Sequence, residues 1–125
     1  MKKHIAMKWV KALRSGKYKQ GRGNLRNTFN EFCCLGVLCN LHAQAHPNFA
    51  AEQTAPNAYD GHTGVLGTTV LEWSGMTTDC GDFNRSLVRG APRNPSNTAL
   101  VDLNDTAKWS FAKIATFIEK NWKVL

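Results

Sequence analysis

Cysteine and histidine are the first side chains of this sequence whose spacing suggests metal binding. Cys34, Cys39 and His42 stand close together, with four and two residues between them. A structural zinc site needs a second, separated pair of ligands, whereas Cys80 and His62 are isolated in predicted loops. Free cysteine in an apolar segment behaves as a small hydrophobic residue. The sequence therefore favours core packing of these cysteines over a zinc site, and it predicts no metal and no cofactor.

Catalysis through a thiolate or a carboxylate pair is the next chemistry to consider. A thiolate–imidazole pair needs a histidine beside the cysteine and a third group that orients it, and the sequence suggests no such trio. Cys33 and Cys34 lie in the most apolar segment, which raises the pKa of a thiol. Asp79 and Asp82 flank Cys80, but acid–base work needs two carboxyls in a dry cleft. The sequence thus favours a binding protein over an enzyme, with hydrolysis as the minor alternative.

Positive charge is concentrated at the N-terminal end of the chain. Residues 1–26 contain nine Lys or Arg and no acid, and residues 27–84 contain six acids and no Lys or Arg. Residues 85–125 contain seven Lys or Arg against three acids, and the net charge is +7. A segregated field of this kind attracts anions. The simpler alternative is a solvated basic helix that only keeps the protein soluble.

The turn that follows the first predicted helix gathers several of these cations around one aromatic ring. Cations of this kind neutralise phosphates while an aromatic ring stacks on a base. The sequence lacks a Walker or dinucleotide-binding glycine pattern, but a tight basic turn holds phosphate through backbone N–H groups and Arg side chains. The predicted anion-binding residues are Arg14, Lys17, Tyr18, Lys19, Arg22 and Arg26.

Two alternatives concern these residues. Tyr18 is more typical of a core or hinge aromatic residue. A second, looser group of cations consists of Arg85, Arg89 and Arg93, and the sequence leaves open whether it meets the first.

Helical spacing of apolar residues predicts the elements at the two ends of the chain. Residues 4–14 place Ile5, Trp9 and Leu13 on one face, with cations between them. The C-terminal helix begins at Ser110 as N-cap, and its apolar positions repeat at helical spacing from Phe111 onwards. A short helix is predicted over residues 68–74, with a threonine cap at its start and a glycine after it.

The middle of the chain is predicted as short strands and long loops. Residues 25–29 and 99–103 are predicted strands, and residues 32–42 a strand that runs into a helix. Residues 43–67 and 76–97 are predicted long loops. We expect one α+β domain over residues 1–125, with a small antiparallel sheet packed by three to four helices.

Several of these segments together resemble a known family. They are the Phe32–Cys39 run FCCLGVLC, the segment Trp9-x3-Leu13-Arg14-Ser15-Gly16-Lys17-Tyr18, the segment Val70-x-Glu72-Trp73-x-Gly75 and the C-terminal helix after Leu103-Asn104-Asp105. The chain resembles small accessory proteins of tailed bacteriophages and prophages that carry a YCCLGVLC-like motif. Phe32 replaces the usual tyrosine, and Gly67 replaces a frequent proline. The resemblance implies a phage accessory protein in the cytoplasm of the bacterial host, and it implies no mechanism.

Localisation and partners follow from the same observations. The longest apolar run is far shorter than the roughly 20 residues that span a bilayer, and the cations at Lys8, Lys11 and Arg14 interrupt what would be the core of a signal peptide. We therefore expect a cytoplasmic protein with free cysteines and no membrane partner. The first hypothesis is an anionic small molecule, a nucleotide-type signal of host antiviral defence, which the protein sequesters, with a homo-oligomer left open. The alternatives are nucleic acid and an acidic host protein, bound through the basic N-terminal face.

Overall fold

Helices dominate the structure, a computed structural model that describes residues 1–88 and 98–125. The fold is α+β, as predicted, with more helices than the three to four expected. Its α-helices within those residues are α1 (Lys3–Arg14), α2 (Cys34–Ala45), α3 (Pro47–Ala51), α4 (Thr68–Ser74), α5 (Leu100–Asp105) and α6 (Phe111–Asn121). Two short strands, β1 (Lys19–Gln20) and β2 (Glu31–Phe32), and two 3₁₀ helices, Arg85–Leu87 and Trp122–Val124, complete them. None of the helices in these two ranges is both long and apolar enough to cross a membrane.

The core forms where α1 and α6 pack on each other and α1 packs on α2. Both outer helices are amphipathic, so that Trp9 of α1 and Ile114 of α6 are completely buried while their charged residues face solvent. The central helix α2 is apolar on almost every side over its first six residues, all of which are buried. The Trp9 indole N–H donates to the Cys34 carbonyl at 2.9 Å and so fixes α1 against the start of α2.

The sheet is parallel, so the prediction of an antiparallel sheet is wrong. Lys19 pairs with Glu31 and Gln20 with Phe32. The predicted strand at residues 25–29 is also wrong, because only Arg26 pairs, as an isolated antiparallel bridge to Phe32. The Asn27 side chain accepts hydrogen bonds from the next backbone amides and turns the chain, which is how asparagine competes with strand formation.

The predicted strand at residues 99–103 is the helix α5. Its alternating apolar residues are also compatible with helical spacing, and the structure buries Leu100, Leu103 and Asn104 on one helical face. Only Ala99 retains a strand-like contact, a single bridge to Asp82.

Three helices predicted from the sequence are confirmed with small changes. The helix α1 and the C-terminal helix α6 form as expected, and the Ser110 hydroxyl accepts from the Lys113 amide as N-cap. The helix α4 ends at Gly75 in the left-handed conformation, with a φ of 70°. Its start is capped by Asp60 of the preceding loop, whose carboxylate accepts from Thr69 N at 2.7 Å, and not by a threonine.

The two predicted long loops contain more structure than expected. Residues 43–67 include the end of α2 and the short helix α3. The loop at residues 76–97 includes the first 3₁₀ helix, and its residues 89–97 lie outside the described part of the chain. Within the remainder of the first loop, residues 53–59 line a pocket beside α2, to which Tyr59 is joined by a hydrogen bond to His42.

Candidate functional site

Two adjoining pockets form one cleft along the exposed side of α2. The basic pocket has a volume of about 340 Å³ and is lined by Lys17, Tyr18, Arg26, Asn30, Phe32, Asn40 and Gln44. The loop pocket has a volume of about 350 Å³ and lies between α2 and residues 50–59. Arg26, Phe32 and Asn40 line both pockets. The pockets therefore adjoin, with Arg26, Phe32 and Asn40 as their shared boundary, and the two together are called the cleft below.

Local structure brings the cations of the basic pocket together. Lys17 lies between α1 and β1, and Arg26 lies in the loop between the strands, where its bridge to Phe32 holds it beside β2. The Arg26 guanidinium carbon stands 5.7 Å from the centre of the Phe32 ring, a cation–π contact. Both cationic side chains are exposed. Neither Lys17 nor Arg26 forms an ion pair with a carboxylate of the described residues. An anion in this pocket would therefore meet two positive charges without displacing a carboxylate.

Tyr18 orders neighbouring side chains of this pocket, and its ring is packed against one of them. Its hydroxyl donates to the Asn40 amide oxygen at 2.6 Å, and its ring packs edge-on against Phe32 with centroids 5.2 Å apart. Burial raises the pKa of Tyr18. The Tyr18 ring is therefore a packed aromatic group, and its hydroxyl orients the Asn40 side chain in the cleft.

The other predicted cations do not line either pocket. Arg14 joins α1 to α6 through an ion pair with Glu119, with Nη1 and Oε2 2.9 Å apart. Lys19 pairs with Glu31 at 3.4 Å. Arg22 is exposed. The second cation group is not brought to the cleft within the described residues: Arg85 lies in a 3₁₀ helix away from it, and Arg89 and Arg93 lie outside the described part of the chain.

The loop pocket has an apolar floor and a polar rim. The buried residues Leu25, Gly36 and Cys39 form part of the floor, and Gln53 and Asn57 line the more exposed side. The Gln53 amide already accepts from Asp60 N and donates to the Phe49 carbonyl, so it orders the wall of the pocket. Gly36 is required here, since a Cβ at this position would collide with the Leu25 carbonyl. Among the described residues no carboxylate lines either pocket, so the cleft is electrostatically suited to an anion.

A buried contact holds the outer wall of the loop pocket in place. Tyr59 lines the pocket, and its hydroxyl shares a hydrogen bond of 2.7 Å with His42 Nδ1. His42 in turn stacks on His46, with ring centroids 4.3 Å apart. Burial raises the pKa of Tyr59 to about 12, so that it remains a neutral hydrogen-bonding group. The wall is thus fixed to α2 by an aromatic cluster.

Sequence reasoning missed the neutral amides of the cleft. These amides carry no charge and belong to no motif; they are Asn40, Gln44, Gln53 and Asn57. Nothing in the sequence indicates that residues 53–57 return to α2. One signal was present. Asn40 interrupts the apolar run that begins at Phe32, and a polar residue in such a run marks the side of a helix that leaves the core.

The cysteines are not available for chemistry. Cys33, Cys34 and Cys39 are buried, as predicted. Burial raises the pKa of Cys33 to about 11 and that of Cys34 and Cys39 further. Cys80 is half-buried beside Asp79, and burial together with this carboxylate raises its pKa to about 11. In the described part of the chain no group of three or more His, Cys, Asp or Glu side chains is arranged to hold a metal ion.

The arrangement is suited to binding. A flat, weakly polar group fits the loop pocket, where apolar floor and amide rim meet, and a phosphate fits the basic pocket beside Lys17 and Arg26. The groups that line the cleft are hydrogen-bonding and cationic, and its one cysteine is a thiol of raised pKa. A ligand in this cleft would be held by charge, hydrogen bonds and apolar contact.

One comparison with known proteins gives a match. The model of DUF8296, a domain of unknown function, matches residues 1–122. No curated protein and no solved structure matches the chain.

Proposed function

The chain belongs to the DUF8296 family, whose function is unknown, and we propose that it binds a nucleotide-type anion in the cleft without changing it chemically. The observation that supports this most directly is that the two pockets share Arg26, Phe32 and Asn40 as lining residues and so lie side by side. A nucleotide combines a flat heterocycle with a phosphate, and the cleft combines an apolar hollow rimmed by amides with a pair of cations. Each half of the ligand thus has a complementary half of the site.

The distribution of charge within the cleft favours a phosphate over a carboxylate-bearing protein surface. Lys17 and Arg26 line the same shallow pocket, and the Arg fork is suited to the tetrahedral oxygens of a phosphate. Arg14 and Lys19 already pair with carboxylates of the protein itself. The basic N-terminal face is therefore less suited to docking on an acidic protein than its net charge indicates.

The resemblance to phage accessory proteins gives this binding a biological sense. In this proposal, the protein acts in the cytoplasm of a bacterial host and sequesters a nucleotide signal of antiviral defence. Sequestration requires affinity and no catalysis, which agrees with a cleft that offers hydrogen bonds, cations and no activated nucleophile.

Thermal denaturation in the presence of nucleotides tests the proposal. We expect at least one of AMP, ADP-ribose and cyclic di-AMP to raise the unfolding midpoint, since a ligand at 100 times its Kd stabilises a protein by about 2.7 kcal/mol. Replacing Lys17 and Arg26 together by Gln should weaken binding by roughly tenfold or more, because charged hydrogen bonds contribute about 1.5–3 kcal/mol each.

A matched control removes the same amount of charge elsewhere. Lys8 and Lys11 are exposed on α1 and line neither pocket, so their double replacement by Gln should leave the affinity within about twofold at physiological salt. Absence of a shift with every nucleotide, or an equal loss of affinity in the control, would show that the cleft is not the binding site.

A further inference from the structure

Phe29 is a large apolar side chain left in solvent beside the cleft. It is 80% exposed, against 39% for Leu87 and 56% for Val124, the other large hydrophobic residues exposed in the described ranges. Phe29 is the last residue of the strand predicted over residues 25–29, which does not form. Its neighbour Asn30 lines the basic pocket, so the backbone of Phe29 begins within one Cα–Cα step, about 3.8 Å, of a pocket residue.

An ordered turn, closed by hydrogen bonds, holds Phe29 in this position. The Asn27 side-chain oxygen accepts from Phe29 N at 2.9 Å and from Glu31 N at 3.0 Å. The Asn27 carbonyl accepts from Asn30 N at 3.1 Å, and Asn30 takes a positive φ of 59°. The turn therefore fixes the backbone that carries the ring, and the ring loses little backbone entropy if a ligand covers it.

The charges around this turn indicate what kind of ligand group would cover the Phe29 ring. Residues 17–26, which lead into the turn, contain four cations and no acid. The nearest carboxylate, Glu31, accepts from the Asn27 amide at 2.8 Å and pairs with Lys19. Of the four cations, Lys17 and Arg26 line the basic pocket, and Phe29 follows Arg26 by three residues in the same loop. Cations that neutralise a phosphate and an exposed aromatic ring that stacks on a base are the groups that bind nucleotide units.

We propose, on the basis of the function proposed above, that the ligand carries at least two bases joined through a phosphodiester. One base occupies the loop pocket, the phosphate lies beside Lys17 and Arg26, and the second base stacks on Phe29. A mononucleotide that fills the cleft would leave Phe29 in water. The shared chemistry is that of an oligonucleotide, which is either cyclic or a linear single strand.

Binding measurements with four probes separate these sources. The probes are AMP, the linear dinucleotide pApA, cyclic di-AMP and an eight-residue oligothymidylate, each titrated by calorimetry against the full chain. We expect at least one two-base ligand to bind about tenfold or more tightly than AMP, since stacking contributes about 1–3 kcal/mol per base. A preference for cyclic di-AMP identifies the cyclic source, and a preference for pApA and the oligothymidylate identifies the linear one.

Substitution of Phe29 tests the second subsite. Phe29→Leu keeps an apolar side chain but removes the stacking surface, so it should lower the affinity for the preferred two-base ligand by about tenfold and leave AMP binding unchanged. Phe29→Trp should restore or strengthen the binding of the two-base ligand. Since Phe29 is exposed, both variants should keep their free energy of unfolding within about 0.5 kcal/mol.

The outcomes distinguish this inference from the proposed function. Binding of AMP as tight as that of every two-base ligand, with no effect of Phe29→Leu, overturns the two-base ligand and leaves the cleft as a mononucleotide site. Failure of all four probes to bind overturns the two-base ligand, and failure of ADP-ribose as well overturns the proposed function itself. If Phe29→Leu retains full binding of the two-base ligand while Phe29→Asp loses it, the ring fills an apolar socket and the stacking proposal is wrong.

Discussion

At the scale of single residues, Asn104 shows how one buried amide connects several elements. It is completely buried, and its Oδ1 accepts from the Gln20 amide at 2.8 Å and from the Cys34 backbone at 3.2 Å. Its Nδ2 donates to the Gly21 carbonyl at 2.9 Å. Through these bonds one side chain joins α5 to β1 and to the start of α2, the helix along which the cleft lies.

Asn104→Ala should destabilise the protein by about 2–4 kcal/mol. Each buried group left without a partner costs about 1–3 kcal/mol. The substitution removes the side-chain hydrogen bond from both the Cys34 amide and the Gly21 carbonyl. Urea denaturation of the variant and of Asn48→Ala, which alters an exposed residue of α3, measures the difference. A loss as small as the roughly 0.5 kcal/mol expected for the control would mean that the network rearranges around other partners.

Gly36 offers a second prediction at the same scale. Gly36→Ala places a methyl group against the Leu25 carbonyl, so that either α2 or the loop that carries Arg26 must move. Overpacking of this kind costs about 1–3 kcal/mol, and the displaced loop should also lower the affinity for the nucleotide. Gly64→Ala is the matched control, because a Cβ there meets only the Gly23 carbonyl, 3.8 Å away. Equal unfolding free energies for the two variants would contradict the close approach.

At the scale of elements, α2 serves the core and the site at once. Its first turns are buried, whereas Asn40 and Gln44 face the basic pocket and His42 anchors the wall of the loop pocket. Burial, and next the neighbouring His46, lower the pKa of His42, and Asp60 opposes them only in part. The stability of the contact between α2 and the loop at residues 52–66 should therefore depend on pH.

Acid should weaken the fold through His42. Above about pH 6.5 this imidazole is neutral in both the folded and the unfolded chain and contributes no pH dependence. Below that pH the unfolded chain binds a proton that the folded protein resists, so the free energy of unfolding falls as the pH falls. Urea denaturation between pH 7.5 and 5.5 should show this slope for the natural chain and a smaller slope for His42→Gln. A change at the exposed His62, to Gln, should leave the slope intact, and an unchanged slope in His42→Gln would assign it to other groups.

The sequence predicted the elements whose pattern is local and missed those set by distant partners. The faces of α1 and α6 follow from helical spacing alone, and Ser110 marks the start of α6 through a bond to Lys113, three residues away. Residues 25–29 were mispredicted because the Asn27 side chain, and not their apolar pattern, decides their backbone. The start of α4 depends on Asp60, eight residues before its first residue, which no local signal indicates.

The same difference between local patterns and distant partners explains which site residues could be predicted from the sequence. Lys17 and Arg26 were found because their charge is visible in the sequence, and the structure places them in one pocket. Arg14 carries the same charge, but its partner Glu119 lies 105 residues away and becomes adjacent only through the packing of α1 on α6. Whether a cation is free for a ligand is thus a property of the tertiary structure.

At the scale of the whole molecule, the segregated charge and the cleft have different consequences. The exposed cations of α1, Lys3, Lys8 and Lys11, do not line the cleft, so they act on a ligand only through their long-range field. Such a field accelerates the encounter with an anion and is screened within about 10 Å at 0.1 M salt. In the proposed complex the cations of the cleft would instead contact the ligand and set its dissociation rate.

Stopped-flow kinetics should separate these two contributions. With the nucleotide that gives the largest thermal shift, replacing Lys3, Lys8 and Lys11 by Gln should lower the association rate constant by about two- to tenfold at 20 mM salt, with little effect at 300 mM and an unchanged dissociation rate. Replacing Lys17 and Arg26 should instead raise the dissociation rate at both salt concentrations. A dissociation rate that rises equally in both variants would mean that α1 contacts the ligand directly, and the binding site would then extend from the cleft to the basic N-terminal helix.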